Sequence, residues 1–205
     1  ALLDSYKPWE RAARSRGIPS AGAGAIYPFA AEDVTCKPFE IPAWWPRCYG
    51  LDVGWNRTAA IWIAQDPDSK CLYAYSEYYV GELHPAIHAS NLKTRGEWVP
   101  GAIDPASSGK SQIDGKQVID LYTQEGLILE YADNALEAGL LNVRRRLESG
   151  QLKIFSTLKN TLMEMFLYSR DETGKVIVNS KDKKDHLMDA VRYAIHTGLD
   201  LMCTE

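Results

Sequence analysis

The chain has 205 residues, 45% hydrophobic and 24% charged, enough to bury an ordinary core in one domain with an appended segment. No apolar run approaches the roughly 18 residues of a membrane span, and the start, Ala-Leu-Leu-Asp-Ser-Tyr-Lys-Pro, lacks the basic and apolar regions of a signal peptide. A net charge of −4 weighs against a protein that coats nucleic acid, yet leaves metal chemistry open, because bound cations offset a cluster of carboxylates.

Residues 1–46 hold Pro8, Pro19, Pro28, Pro38, Pro42 and Pro46, with a Gly/Ala-rich run at 20–25. Prolines this frequent prevent long helices and central strands. The stretch reads as an interdomain linker or an arm packed on its neighbour, and residues 47–205 as the folded domain. With no initiator Met, the chain is expected to be a fragment of a longer polypeptide. Trp44-Trp45 is expected to dock the arm's end on the core. Cys36, Cys48, Cys71 and Cys203 lie far apart with no zinc spacing, and are expected to be reduced core fillers.

Beyond Pro46 the pattern becomes regular. Segments 48–53, 58–64 and 71–79 are rich in β-branched and aromatic residues and separated by turn-forming sequences, which predicts an antiparallel meander. A helix follows over 85–94, with Pro85 suited to its first turn. Then come a strand over 98–103, a helix over 115–125, a strand over 127–131 and a helix over 136–148. Residues 152–155 read as a further short strand and 162–168 as helical. Arg170 to Lys175 forms the tip of a hairpin between 167–168 and 176–178, and a final helix runs from about 182 to 201. A three-strand meander followed by α/β alternation is the ribonuclease-H-like order. The expected fold is therefore an α/β mixed sheet, meander plus parallel strands, flanked by helices and carrying an auxiliary β-hairpin.

Three aspartates stand out. Asp52 sits in Gly50-Leu51-Asp52-Val53-Gly54, in the first predicted strand, where a carboxylate is unfavourable unless paired or bound to metal. Asp104 ends the fourth strand, at a strand terminus of the kind that α/β sheets use for chemistry, although Asp-Pro also starts turns. Asp189 lies in Asp185-His186-Leu187-Met188-Asp189-Ala190-Val191-Arg192-Tyr193, with Asp185 one turn before it and His186 at i, i+3. The apolar stripe of Leu187, Ala190, Val191, Ala194, Ile195 and Gly198 puts Asp189 near the opposite, solvated side, although small Ala190 and Ala194 beside Tyr193 could widen the buried face enough to bring it to the sheet's edge. Such a carboxylate set suits two Mg²⁺ or Mn²⁺ ions about 3.5–4 Å apart, clamping the attacking and leaving oxygens of a phosphodiester. His186 would orient water or serve as a late ligand; a plain surface histidine is an equal reading.

Gly109-Lys110-Ser111 imitates the end of a phosphate-binding loop, but Asp104 stands where that pattern needs glycine. Lys110 and Lys116 read instead as contacts to DNA phosphates, as do Lys181, Lys183 and Lys184 beside the Asp185–Asp189 segment. Glu164 reads as structural.

Gly50–Gly54, Ile103-Asp104-Pro105-Ala106 and Asp185–Tyr193, with weaker support from Ala132-Asp133-Asn134 and Ala138-Gly139, resemble the C-terminal nuclease domain of the large terminase subunit of tailed bacteriophages. The similarity covers residues 11 to 200. It implies a ribonuclease-H-like endonuclease that cuts concatemeric double-stranded viral DNA before and after capsid filling. Asp52, Asp104 and Asp189 would then be catalytic metal ligands for two divalent cations, with His186 and Asp185 as accessories. The family's ATP-driven translocating domain would lie upstream in the same polypeptide, so this fragment is expected to have no ATPase. Its partners would be DNA, the portal and the small terminase subunit, with no membrane, at the procapsid in the host cytoplasm. The 170–178 hairpin would correspond to an auxiliary hairpin at the active site. Rival readings are a Holliday-junction resolvase or transposase-like nuclease, an actin-like nucleotide-binding half, and a non-catalytic DNA- or portal-docking module.

Overall fold

A computed structural model describes residues 24–108, 117–177 and 185–205. The meander is present: β2 (Arg47–Asp52), β3 (Thr58–Gln65) and β4 (Leu72–Val80) pair antiparallel in sequence. β5 (Gly101–Ile103) and β6 (Leu129–Tyr131) add in parallel beyond β2. On the other side β7 (Leu152–Phe155) lies parallel to β4, and β1 (Thr35–Cys36) lies parallel to β7. The sheet has seven strands in the order β1-β7-β4-β3-β2-β5-β6, so β2 and β3 are central and covered on both faces.

Strand parity divides the core. Cys48, Ala59, Ile61 and Ile63 face α4 (Leu136–Glu148), α5 (Lys159–Leu167) and α6 (His186–Tyr193). Tyr49, Leu51, Ala60, Trp62 and Ile103 face the opposite layer, built from α2 (Pro85–Lys93) and α3 (Val118–Gln124). The expected helix over 136–148 has those limits. The strand expected from 98 begins only at Gly101. The expected final helix is not uniform: α6 passes into a wider π-helical turn, Ala194–Gly198, before the short α7 (Leu199–Leu201). There Gly198 lies so close to Cys48 that an added Cβ would meet its Sγ at 3.2 Å.

The segment before β2 takes part in the core. Ile26, Tyr27 and Val34 are buried in it, the last in the single-turn α1 (Ala31–Val34), and β1 supplies one edge of the sheet. Of the tryptophan pair, only Trp45 docks, against Phe39 and Tyr73; Trp44 is 70% exposed. The pair lies in a turn closed by the Trp45 N–H donating to the Pro42 carbonyl at 3.1 Å, and there one indole finds the core and the other does not. The cysteines also differ from expectation: Cys48 is buried, Cys36 and Cys71 are half-buried, and Cys203 is exposed.

The 170–175 segment forms a tight hairpin tip. Arg170 bridges Val176, and the Asp171 carboxylate accepts the backbone N–H groups of Thr173 and Lys175. The Arg170 guanidinium ties this tip to α4 through both oxygens of Glu137, at 2.9 and 2.6 Å.

Candidate active site

The two strand aspartates reach one place by parity and register. Asp52 shares its face of β2 with Cys48 and Gly50, beneath α6. In the parallel pairing Leu51 stands opposite Ile103, so Asp104 emerges beside the end of β2, where its N–H donates to the Leu51 carbonyl at 2.9 Å. Helix α6 closes over both. It approaches so closely that a Cβ on Gly50 would lie 1.9 Å from the Ala190 carbonyl oxygen; only glycine admits the helix here.

Each aspartate has a partner on that helix. His186 Nδ1 lies 2.6 Å from Asp52 Oδ2. The Tyr193 hydroxyl donates to Asp104 Oδ1 at 3.0 Å. Asp189 pairs within the helix, its Oδ1 accepting from Arg192 Nη2 at 2.9 Å and Nε at 3.3 Å. Asp189 is 8% exposed, not solvated as its periodicity suggested. All of residues 187–193 are buried, because α6 is enclosed by the sheet, α4 and α5. A stripe argument applies to a helix with a wet side, and this helix has none. Asp185 is buried at the helix start.

The carboxylates act on one another electrostatically. Burial pushes the Asp52 carboxyl above the usual carboxylate range; the hydrogen bond and charge of His186 oppose this, and the charges of Asp189 and Asp104 reinforce it. Burial opposes protonation of His186, but the Asp52 carboxylate together with the charges of Glu164 and Asp185 outweighs it and raises the imidazole's pKa. Asp52 therefore feels both other aspartates as like charges. Among the described residues, however, no three metal-ligating groups are disposed to hold an ion together. Three carboxylates are the right donors for a hard divalent cation, with Asp189 now engaged by Arg192.

Two carboxylates outside the site set the helix that carries it. Glu77 of β4 accepts the N–H groups of Asn160 and Thr161 at the start of α5, at 3.1 and 2.8 Å. Glu164 of α5, fully buried, accepts the Leu187 N–H at 2.7 Å at the start of α6. Each carboxylate satisfies helix N-terminal donors and meets the positive end of the helix dipole. The chain β4–Glu77–α5–Glu164–α6 thus fixes the height of His186 over Asp52. Glu164 has the structural role its sequence context indicated; no sequence signal marked Glu77. Arg192 and Tyr193 also escaped notice, although i, i+3 spacing to Asp189 was a signal for the arginine. Lys110, Lys116, Lys181, Lys183 and Lys184 lie outside the described residues.

The terminase RNaseH-like domain family matches residues 49–197, a span that contains Asp52, Asp104, Asp189 and the whole of α6. The chain belongs to this family. It is 30% identical over 201 residues to the large terminase subunits of Enterobacteria phage LP7 and Salmonella phage P22, aligning 94% of its own length in each case. It spans about two fifths of these curated relatives, 41% and 39% respectively. The solved P22 large terminase nuclease domain superposes with a TM-score of 0.76 at 26% identity, over 87% of this chain and 94% of that one. The large terminase nuclease of thermophilic phage G20c, solved with bound magnesium, shares the fold with a TM-score of 0.59 at 13% identity, over 86% of this chain and 98% of that one. The chain thus corresponds to the nuclease domain of a terminase large subunit, with the seven-stranded ribonuclease-H-like sheet of that group.

Proposed function

We propose that this domain is a metal-dependent endodeoxyribonuclease that cuts concatemeric double-stranded viral DNA during genome packaging. The observation that carries the reading is the buried Asp52 carboxylate, which lies beside Asp104 at the strand ends and meets the charges of Asp104 and of Asp189 on α6. Asp52, Asp104 and Asp189 would hold two divalent cations, Mg²⁺ or Mn²⁺. Bound there, such ions stabilise the attacking and leaving oxygens of a phosphodiester. The G20c nuclease binds magnesium and, in another structure, cobalt, which supports the choice of ion class. His186 orients Asp52, Tyr193 orients Asp104, and the Glu164-capped helix keeps these contacts in register. The lysines at 110, 116, 181, 183 and 184 are proposed as phosphate contacts. By kinship with the longer relatives, an ATPase domain in the same polypeptide would drive translocation, and this fragment would not hydrolyse ATP. Portal and small terminase subunit are the proposed partners, at the procapsid in the host cytoplasm. Residues 47–205 are the proposed catalytic domain, with the docked segment from residue 24 as part of its core, and the residues before that segment the connection to the ATPase.

Supercoiled plasmid with Mn²⁺ or Mg²⁺ tests the reading. The wild-type chain should nick and linearise it, EDTA should stop the reaction, and Asp52→Ala or Asp104→Ala should lower the rate by at least about 100-fold. An intact plasmid with both metals, or mutants that cut as fast as wild type, would falsify the mechanism; the former outcome favours a docking module. Preference for four-way junctions over duplex points to a resolvase instead.

A further inference from the structure

Arg192 is a buried cation in the wall of a site that calls for added cations. It is 3% exposed, and two of its nitrogens converge on one oxygen of Asp189. Its third, Nη1, is buried without a hydrogen-bond partner among the described residues. The guanidinium lies 4.4 Å from the centroid of Tyr193, whose hydroxyl binds Asp104. Its methylenes cross Gly139 of α4, where an added Cβ would come within 2.6 Å of Arg192 Cγ. A glycine in that helix thus makes room for the arginine. A buried ion pair with an unused donor is a poor source of stability, since apolar residues of the same volume serve as well or better. Its position suggests another role.

We propose that Arg192 is the internal counter-cation of this site, neutralising Asp189 while no metal is bound and surrendering it when a divalent ion arrives. The inference rests on the reading of Asp189 as a metal ligand. An Asp52 carboxylate that meets the charges of Asp104 and Asp189 needs positive charge nearby before any ion binds. His186 supplies it at Asp52 and Arg192 at Asp189. Asp189 Oδ1 is turned to its arginine. Metal and guanidinium then compete for one carboxylate, and the arginine weakens cation binding while it holds that carboxylate in place.

The test is calorimetric titration with Mn²⁺, at fixed ionic strength, of the wild-type chain, Arg192→Gln, Arg192→Lys and Asp189→Asn. Thermal denaturation in EDTA and in saturating Mn²⁺ accompanies it. Arg192→Gln should bind Mn²⁺ about tenfold more tightly than wild type, because a competing charge is gone. Its melting temperature should fall in EDTA and recover in Mn²⁺. Arg192→Lys, which keeps the charge, should stay near wild type in both. Equal or weaker binding by Arg192→Gln, or the same loss of melting temperature with and without metal, overturns the proposal and leaves the arginine a packing residue. If Arg192→Gln does not fold, Asp189→Asn/Arg192→Gln decides: it should fold as well as Asp189→Asn alone, and failure to do so also overturns the proposal. Absence of Mn²⁺ binding in the wild type defeats the metal-nuclease reading itself.

Discussion

Asp52, Asp104 and Asp189 carry the same group into three different environments. Asp52 was legible from its own strand: a carboxylate between leucine and valine, flanked by glycines, announces a partner. Asp104 was legible once strand order was known, since β5 lies in parallel beside β2 and the two strand ends meet. Asp189 was not legible from periodicity, which takes one side of a helix as wet, whereas α6 is covered all round. Other buried polar residues were equally hidden. His88 of α2 is buried with Nδ1 2.7 Å from the Tyr78 hydroxyl, and burial depresses its pKa below the ordinary 6.5. The unfolded chain then takes up a proton as pH falls below 6.5, before the folded chain does. His88 therefore contributes a loss of stability as pH falls from 6.5 toward its depressed value. Urea unfolding at pH 7.5 and 5.5 should show a smaller acid-induced loss in His88→Gln than in wild type; equal losses place the acid sensitivity elsewhere.

At the scale of elements, the site depends on how α6 is seated. Its first turn is held by Glu164, and the α5 that carries Glu164 is held in turn by Glu77. Its middle rests on Gly50. Strand and helix limits such as 136–148 and 152–155 follow from local pattern, because periodicity and turn residues act within a few positions. The capping carboxylates act between elements 23 and 84 residues apart in sequence, and no local pattern records them. Gly50→Ala should thrust a methyl group into the Ala190 carbonyl and force α6 off β2. Overpacking typically costs about 1–3 kcal/mol, and a clash with backbone lies at the upper end of that range. Urea denaturation should show that loss, and amide exchange should quicken across 186–193. A change of less than about 0.5 kcal/mol would mean that the helix slides without penalty.

Over the whole molecule, the sheet extends beyond the meander by β7 and β1, and the segment before residue 47 fills part of one core. Tyr27 and Val34 are buried there, and β1 covers the outer edge of β7. A fragment beginning at residue 47 should be less stable than one beginning at residue 24, and more prone to associate through the bared edge of β7. Thermal denaturation and sedimentation of the two fragments measure this; equal behaviour would show the early segment to be dispensable. The order of strands and helices, the glycine-flanked Asp52 and the family's ordered motifs were determined by the sequence alone, because they depend on neighbours along the chain. The depth of Asp189, its pairing with Arg192 and the carboxylate caps that set His186 over Asp52 were decided only by tertiary structure. Burial and electrostatic partnership depend on every element that closes around a residue, and those elements come from distant parts of the chain.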